Sequence, residues 1–386
     1  MDGTLSSPVA FVYAWSTDAA ASSPLRSGYR IFIMKLLVTG GCGFIGSRLC
    51  IASRAAGWDV HAIDNLRRRG SERNASELRH HGIRVHIGDV RSKDDVNLLP
   101  RVDMMVLAAA EPTVTAGIDS SPEYTVGTNL VGTLNCLESA RQHKSAVLLL
   151  STSRVYSIAS LRNLPRTDSS TRFSWDANAS ERGFDPRKGI GEQFSTQGFR
   201  SIYGTTKLAS ELMVSEYHHN YDLPIMILRS GLVSGPGQMA RSDQGVIALW
   251  VARHYFNQSL KYTGFDGSGR QVRDVLHVDD LCDFILSQLG NTQSWNAESF
   301  NVGGGTAKSV SLFELTKLCE KVTGHRIIIE SEPRTSSVDI PIYITDASRL
   351  RCEFNWQPTR DVETVVRDIF SWIDRGDETL HHILGR

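Results

Sequence analysis

Tyr203 and Lys207 stand four residues apart in Tyr203-Gly204-Thr205-Thr206-Lys207, on a stretch that continues Leu208-Ala209-Ser210-Glu211-Leu212-Met213 with helical periodicity. At i and i+4 the two side chains share one helix face. A lysine ammonium in that place is expected to lower the phenol from its ordinary pKa of about 10 and make it a usable base, suited to taking a proton from a secondary alcohol. Alone, the pair is common on ordinary helices; a second group of residues gives it meaning. Thr39-Gly40-Gly41-Cys42-Gly43-Phe44-Ile45-Gly46 follows the apolar run Met34-Lys35-Leu36-Leu37-Val38 and precedes a helical stretch. Glycines 40, 43 and 46 permit a tight strand-to-helix turn, bring backbone close to a pyrophosphate and let the helix pack on the strand, while the helix N-terminus points N–H groups at the anion. The next apolar run, Val60-His61-Ala62-Ile63, ends in Asp64. That carboxylate comes about 20 residues on, where it accepts hydrogen bonds from a ribose 2′-OH and repels a 2′-phosphate. The expected cofactor is NAD, not NADP.

Such residues need a frame. Apolar runs at 35–39, 59–63, 85–87, 104–108, 146–151 and 224–228 alternate with helical stretches, among them 43–56 and 128–142. This pattern predicts an α/β fold, a Rossmann doubly wound parallel sheet. Ligands in such sheets sit at the carboxyl ends of the strands, where the glycine loop, Asp64, Asp89, Ala109 and Thr152 all fall. After Arg229 the regularity ends, and Ser234-Gly235-Pro236-Gly237 opens a loop-rich region. The expected organisation is a disordered leader at 1–33, an NAD-binding Rossmann domain at 34–230, and a smaller mixed α/β lobe, mainly substrate-binding, at 231–386. Because Met34 begins the first strand, a start placed too far upstream is the expected explanation of the leader, with a targeting peptide as the alternative. Within the first domain, 157–201 reads as an insert contributing to the substrate lobe; it carries Trp175, Phe184, Phe194 and Phe199 and forms either a lid or a solvated excursion. Later helices at Leu312–Thr323 and 362–375 have apolar residues at helical spacing and are expected to pack, not to do chemistry.

Forty-two basic and 42 acidic residues leave no net charge, which argues against a nucleic-acid or membrane-surface protein dependent on basic bias. No apolar run approaches the ~20 residues that span a bilayer. Six cysteines, at 42, 50, 136, 282, 319 and 352, form no C-x-x-C pair, so buried thiols in a reducing cytoplasm are expected in place of disulfides or a metal site.

With these residues the chain resembles the extended short-chain dehydrogenase/reductase family, specifically its NAD-dependent nucleotide-sugar epimerases and dehydratases, from about Met34 to Trp372. Ser151-Thr152-Ser153-Arg154-Val155-Tyr156 is similar to the strand-end motif with the third catalytic hydroxyl, which is Thr152 by position. The resemblance implies a catalytic set of Thr152, Tyr203 and Lys207, with Lys207 also holding the nicotinamide ribose. It implies cofactor contacts at Gly40, Gly43, Phe44, Ile45, Gly46, Asp64, Asn65, Asp89, Val90, Ala108 and Ala109. Asn129-Leu130-Val131-Gly132-Thr133 resembles the helix that supports the active site. For a nucleotide-diphosphate sugar substrate it implies Arg241, Gln244, Arg273, Asn301 and Arg334, the arginines because guanidinium forks match phosphate geometry. Val106 and Ser157 depart from the family's usual His and Gly. Ser153-Arg154 stand after Thr152, where dehydratases place acids. The implied activity is therefore epimerisation: C2 inversion of a CDP-linked deoxyhexose through a keto intermediate. A UDP- or GDP-sugar 4-epimerase is the alternative, and a dehydratase or a non-catalytic dinucleotide sensor fits less well. A homo-oligomer is also expected.

Overall fold

The computed structural model describes residues 33–118, 121–240 and 244–385. Apart from Ile33, the expected leader lies outside them.

Seven strands form one parallel sheet: β1 (Lys35–Thr39), β2 (Asp59–Asp64), β3 (Arg84–Ile87), β4 (Met104–Leu107), β5 (Ala146–Thr152), β6 (Ile225–Ser230) and β7 (Asn296–Val302). Their spatial order is β3-β2-β1-β4-β5-β6-β7. The reversal beside β1 opens a crevice at the carboxyl ends of β1 and β4, the usual ligand position in such sheets. Leu36 to Val38, Met104 to Leu107 and Val147 to Leu149 are all buried, as a sheet covered by helices on both faces requires. One face packs on α1 (Phe44–Ala55), α2 (Ser71–His80) and, later in the chain, Val278–Leu289; the other packs on α3 (Gly132–His143) and α4 (Ile202–Tyr221). Among the described residues, no helix is long and apolar enough to cross a membrane.

The doubly wound sheet matches the expectation from the sequence. Its last strand does not: β7 lies in the segment assigned to the second lobe, yet it pairs in parallel with β6 from Ile225↔Asn296 to Ser230↔Val302. Much of the rest of that segment, apart from Val278–Leu289 and the Leu350 region that pack on the sheet, builds a smaller body. Val272–His277 pairs in parallel with Leu232–Ser234 and Ile342–Tyr343, and antiparallel with Ser309–Ser311. Helices Val246–Tyr255, Leu312–Thr323 and Val362–Asp374 share one apolar core there, around Trp250, Leu315 and Ile369. The insert at 157–201 is folded: Tyr156, Phe184, Ile190 and Phe194 pack with Val338, Ile340 and Tyr343.

Candidate active site

The strand-to-helix turn after β1 depends on glycine at two close approaches. Gly40 has φ +64°, and a Cβ there would lie 2.7 Å from Ala109 Cα; a Cβ on Gly46 would lie 2.2 Å from Gly40 O. Gly43 starts α1 with no side-chain cap, leaving the first-turn N–H groups as donors for an anion. One cleft crosses the carboxyl ends of the strands from this loop, and every residue expected to touch the cofactor lines it.

Asp64 is pinned at its place. Its Oδ2 accepts from Cys42 N at 3.0 Å and its Oδ1 from Leu66 N at 2.9 Å. Burial pushes its carboxyl above the ordinary value, and those N–H groups pull it part-way back. Asp89 goes the other way. Burial opposes ionisation, but the bonds from Arg91 and Asn65 outweigh it and hold the carboxyl down at about 2.

At the opposite end of the cleft, Ser201 caps α4 by accepting from Gly204 N at 3.2 Å, so Tyr203 sits in the first turn. Lys207 lies one turn later, and its Nζ donates to Leu150 O at 2.7 Å. Burial lowers the lysine to about 8, with Glu211 opposing. Tyr203 departs from the sequence expectation in direction: burial raises the phenol, and the Thr152 hydroxyl and then the Arg154 cation pull it part-way back. Thr152 closes β5, and its Oγ1 accepts from Arg154 N at 3.2 Å, which leaves the threonine O–H to donate. The turn Ser153–Val155 is pressed on α4, so that a Cβ at Gly204 would lie 2.2 Å from Arg154 O.

Asn129 holds these parts together. Its Oδ1 accepts from Glu111 N at 2.8 Å and its Nδ2 donates to Thr206 Oγ1 at 3.0 Å, joining the loop after β4 to the helix of Tyr203 and Lys207.

The expected substrate residues divide. Gln244 lines the cleft, with its Oε1 accepting from Arg68 Nη2 at 2.6 Å. Arg273 does not line it; its fork donates to Asp339 Oδ1 at 2.9 Å, Ile340 O at 2.8 Å and Val272 O at 2.7 Å, and burial lowers its pKa to about 10. Asn301 is corrected to a packing role. It is wholly buried, its Oδ1 accepts from Tyr156 OH at 2.7 Å, and its Nδ2 donates to Ile190 O at 2.9 Å. Arg334 is exposed and outside the cleft, while Arg241 lies outside the described residues. No residue of the 157–201 insert lines the cleft among the described residues.

Sequence reading missed two features. Arg229 and Glu211 form a buried pair, Nη2 to Oε2 2.6 Å, and Glu211 also bonds Ser151, tying β5 and β6 to α4 beneath Lys207. The spacing from Lys207 to Glu211 and an arginine closing an apolar strand were the available signals. Tyr124 also lines the cleft, with nothing in its local sequence to single it out.

Residues 36–303 match the model of the NAD dependent epimerase/dehydratase family. The chain belongs to that family. It is 31% identical over 348 residues to a CDP-paratose 2-epimerase of Salmonella typhi, covering 88% of this chain and 99% of the relative. It is 27% identical over 359 residues to a UDP-glucose 4-epimerase of Erwinia amylovora, covering 88% and 97%. The UDP-glucuronic acid 4-epimerase of Bacillus cereus, solved in complex with UDP-glucuronic acid and NAD, has the same fold: TM-score 0.71, 23% identity, 89% of this chain and 99% of that one. The cofactor of this epimerase/dehydratase-family protein is NAD, and the glycine loop, the uncapped α1 N-terminus and Asp64 fit it.

Proposed function

We propose that the protein is an NAD-dependent nucleotide-sugar epimerase that inverts C2 of a CDP-linked deoxyhexose. The observation that carries epimerisation is the make-up of the turn after Thr152. It offers Ser153 and a half-buried Arg154 cation, and no carboxylate to protonate a departing hydroxyl. Identity to a CDP-paratose 2-epimerase supports C2 and the cytidine nucleotide.

In this reading Tyr203 takes the proton of the sugar hydroxyl while Thr152 donates a hydrogen bond to the same oxygen. Lys207 holds the nicotinamide ribose. NAD, when bound, would supply a reversible hydride acceptor, which makes the cycle redox-neutral. The keto sugar turns to present its other face between the two transfers. Asp64 selects NAD by its carboxylate. Gln244, on the wall of the cleft, serves the nucleotide-diphosphate end. The protein works in the cytoplasm as a homo-oligomer. A second reading, 4-epimerisation of a UDP- or GDP-sugar, is favoured by the identity to a UDP-glucose 4-epimerase.

The test is incubation of the purified protein with CDP-, UDP-, GDP- and dTDP-linked hexoses and deoxyhexoses, with ring couplings read by NMR and masses by mass spectrometry. A CDP-linked deoxyhexose inverted at C2 is expected. Inversion at C4 alone replaces this reading with the second, and a product lighter by one water marks a dehydratase and contradicts both.

A further inference from the structure

The glycine loop sets a pyrophosphate at the start of α1, and Asp64 at the end of β2 takes the adjoining ribose. The next strand along the sheet is β3, so the base lies toward the turn after it, over Asp89 and Val90, which line the same cleft. Tyr124 forms part of the wall there. The guanidinium carbons of Arg67 and Arg91 lie 3.9 Å and 4.6 Å from its ring centroid. Asn65 Nδ2 lies 3.4 Å from Tyr124 OH and donates to Asp89 Oδ2 at 2.9 Å. Arg91 also grips Asp89, with Nε to Oδ1 at 3.0 Å and Nη2 to Oδ2 at 2.8 Å. Three separate segments are thus tied to one another at the rim: the loop after β2, the turn after β3, and the short helix Glu123–Val126.

We propose that Tyr124, with Arg67 and Arg91 stacked on its ring, is a clasp over the adenosine end of NAD that must part before the cofactor leaves. The clasp rests on the cofactor and not on the identity of the sugar. It suits a redox-neutral cycle, in which a cofactor that stays bound is never spent. Both arginines are exposed, so each contact is weak alone, and the effect comes from several links that must break together.

The experiment is the dissociation rate of NAD from the purified, NAD-loaded full chain, measured by trapping with excess etheno-NAD and following its fluorescence. Tyr124→Ala is expected to speed release about tenfold, the scale of two partly exposed cation–π contacts. Tyr124→Phe keeps the ring and is expected to stay within about threefold of wild type, and Arg67→Ala to fall between the two. Release from Tyr124→Ala at the wild-type rate, in protein with unchanged circular dichroism, overturns the clasp. Equal acceleration by Phe and Ala also overturns it, because the ring then does nothing. Should Tyr124→Ala fail to fold, Arg67→Ala decides, since Arg67 touches the ring without bonding Asp89: an unchanged rate there contradicts the proposal. None of these outcomes depends on whether any nucleotide sugar is epimerised.

Discussion

Burial raises the pKa of Tyr203, so its ionisation, which the proposed base role needs, depends on Thr152 and Arg154. Tyr203→Phe should keep fold and NAD occupancy but lose at least about 10²-fold in turnover, the lower end of what a positioned acid or base contributes. Turnover at matched NAD occupancy checks it. Lys207 carries a second, less obvious expectation. Its folded pKa of about 8 lies below the unfolded value of about 10.4, so between these the unfolded chain binds more protons and the group adds stability as pH rises. Below pH 8 the buried ammonium is a cost to the fold. Lys207→Met should therefore raise the melting temperature of the NAD-free protein at pH 7, with the gap closing above pH 8, while NAD binding weakens; calorimetry at two pH values reads both. Asp64→Ala should narrow the preference for NAD over NADP, as titration calorimetry with each dinucleotide would reveal. At this scale the meeting of the glycine loop, Asp64, Tyr203 and Lys207 at one cleft was legible because local spacing encodes it. Asn301 was not, since its fate is decided by Tyr156 and Ile190, 145 and 111 residues away.

Elements carry the geometry that these side chains use. The docking of the Ser153–Val155 turn on α4 leaves no room for a side chain at Gly204. Gly204→Ala should push that turn, and Thr152 with it, away from Tyr203, lowering kcat at least tenfold with a smaller change in KM, since a misplaced donor harms the transition state more than binding. Steady-state kinetics beside a melting curve separates this from simple unfolding. Strands β1, β4 and β5 were readable from the sequence because central parallel strands are apolar on both faces. β7 was not: Asn296-Ala297-Glu298-Ser299 exposes its first half, and as an edge strand it has one neighbour to pair with. The insert's Phe184 and Phe194 read as part of a lid or of a solvated excursion, but they fill a core against Val338 and Ile340, a pairing that no local pattern announces.

On the scale of the whole molecule, the chain leaves the sheet after β6, begins the smaller body, returns through β7, and then completes the smaller body with Ser309–Ser311, Leu312–Thr323, Ile342–Tyr343 and Val362–Asp374. Asp280 joins these journeys. It is buried on the helix Val278–Leu289 that packs on the sheet, and it accepts from Thr359 N at 3.2 Å, Arg360 N at 3.0 Å and Arg360 Nη1 at 2.6 Å, fixing the approach to Val362–Asp374. Asp280→Ala should cost about 1–3 kcal/mol, the scale of hydrogen bonds to a charged acceptor, and urea unfolding measures it. A body so braced holds Tyr203 and Lys207 at one end of the cleft, with Thr152 beside Tyr203, and Asp64 toward the other, and hydride removal and return at a single carbon is the chemistry proposed for it. The direct measurement is epimerisation of a CDP-linked deoxyhexose deuterated at C2, followed by NMR in H₂O, with the unlabelled sugar run in D₂O. The deuterium should remain on C2 with inverted configuration, and no solvent deuterium should enter the ring. Deuterium lost from C2, or solvent deuterium gained at C3 or C5, would contradict hydride return and point to proton exchange beside a ketone.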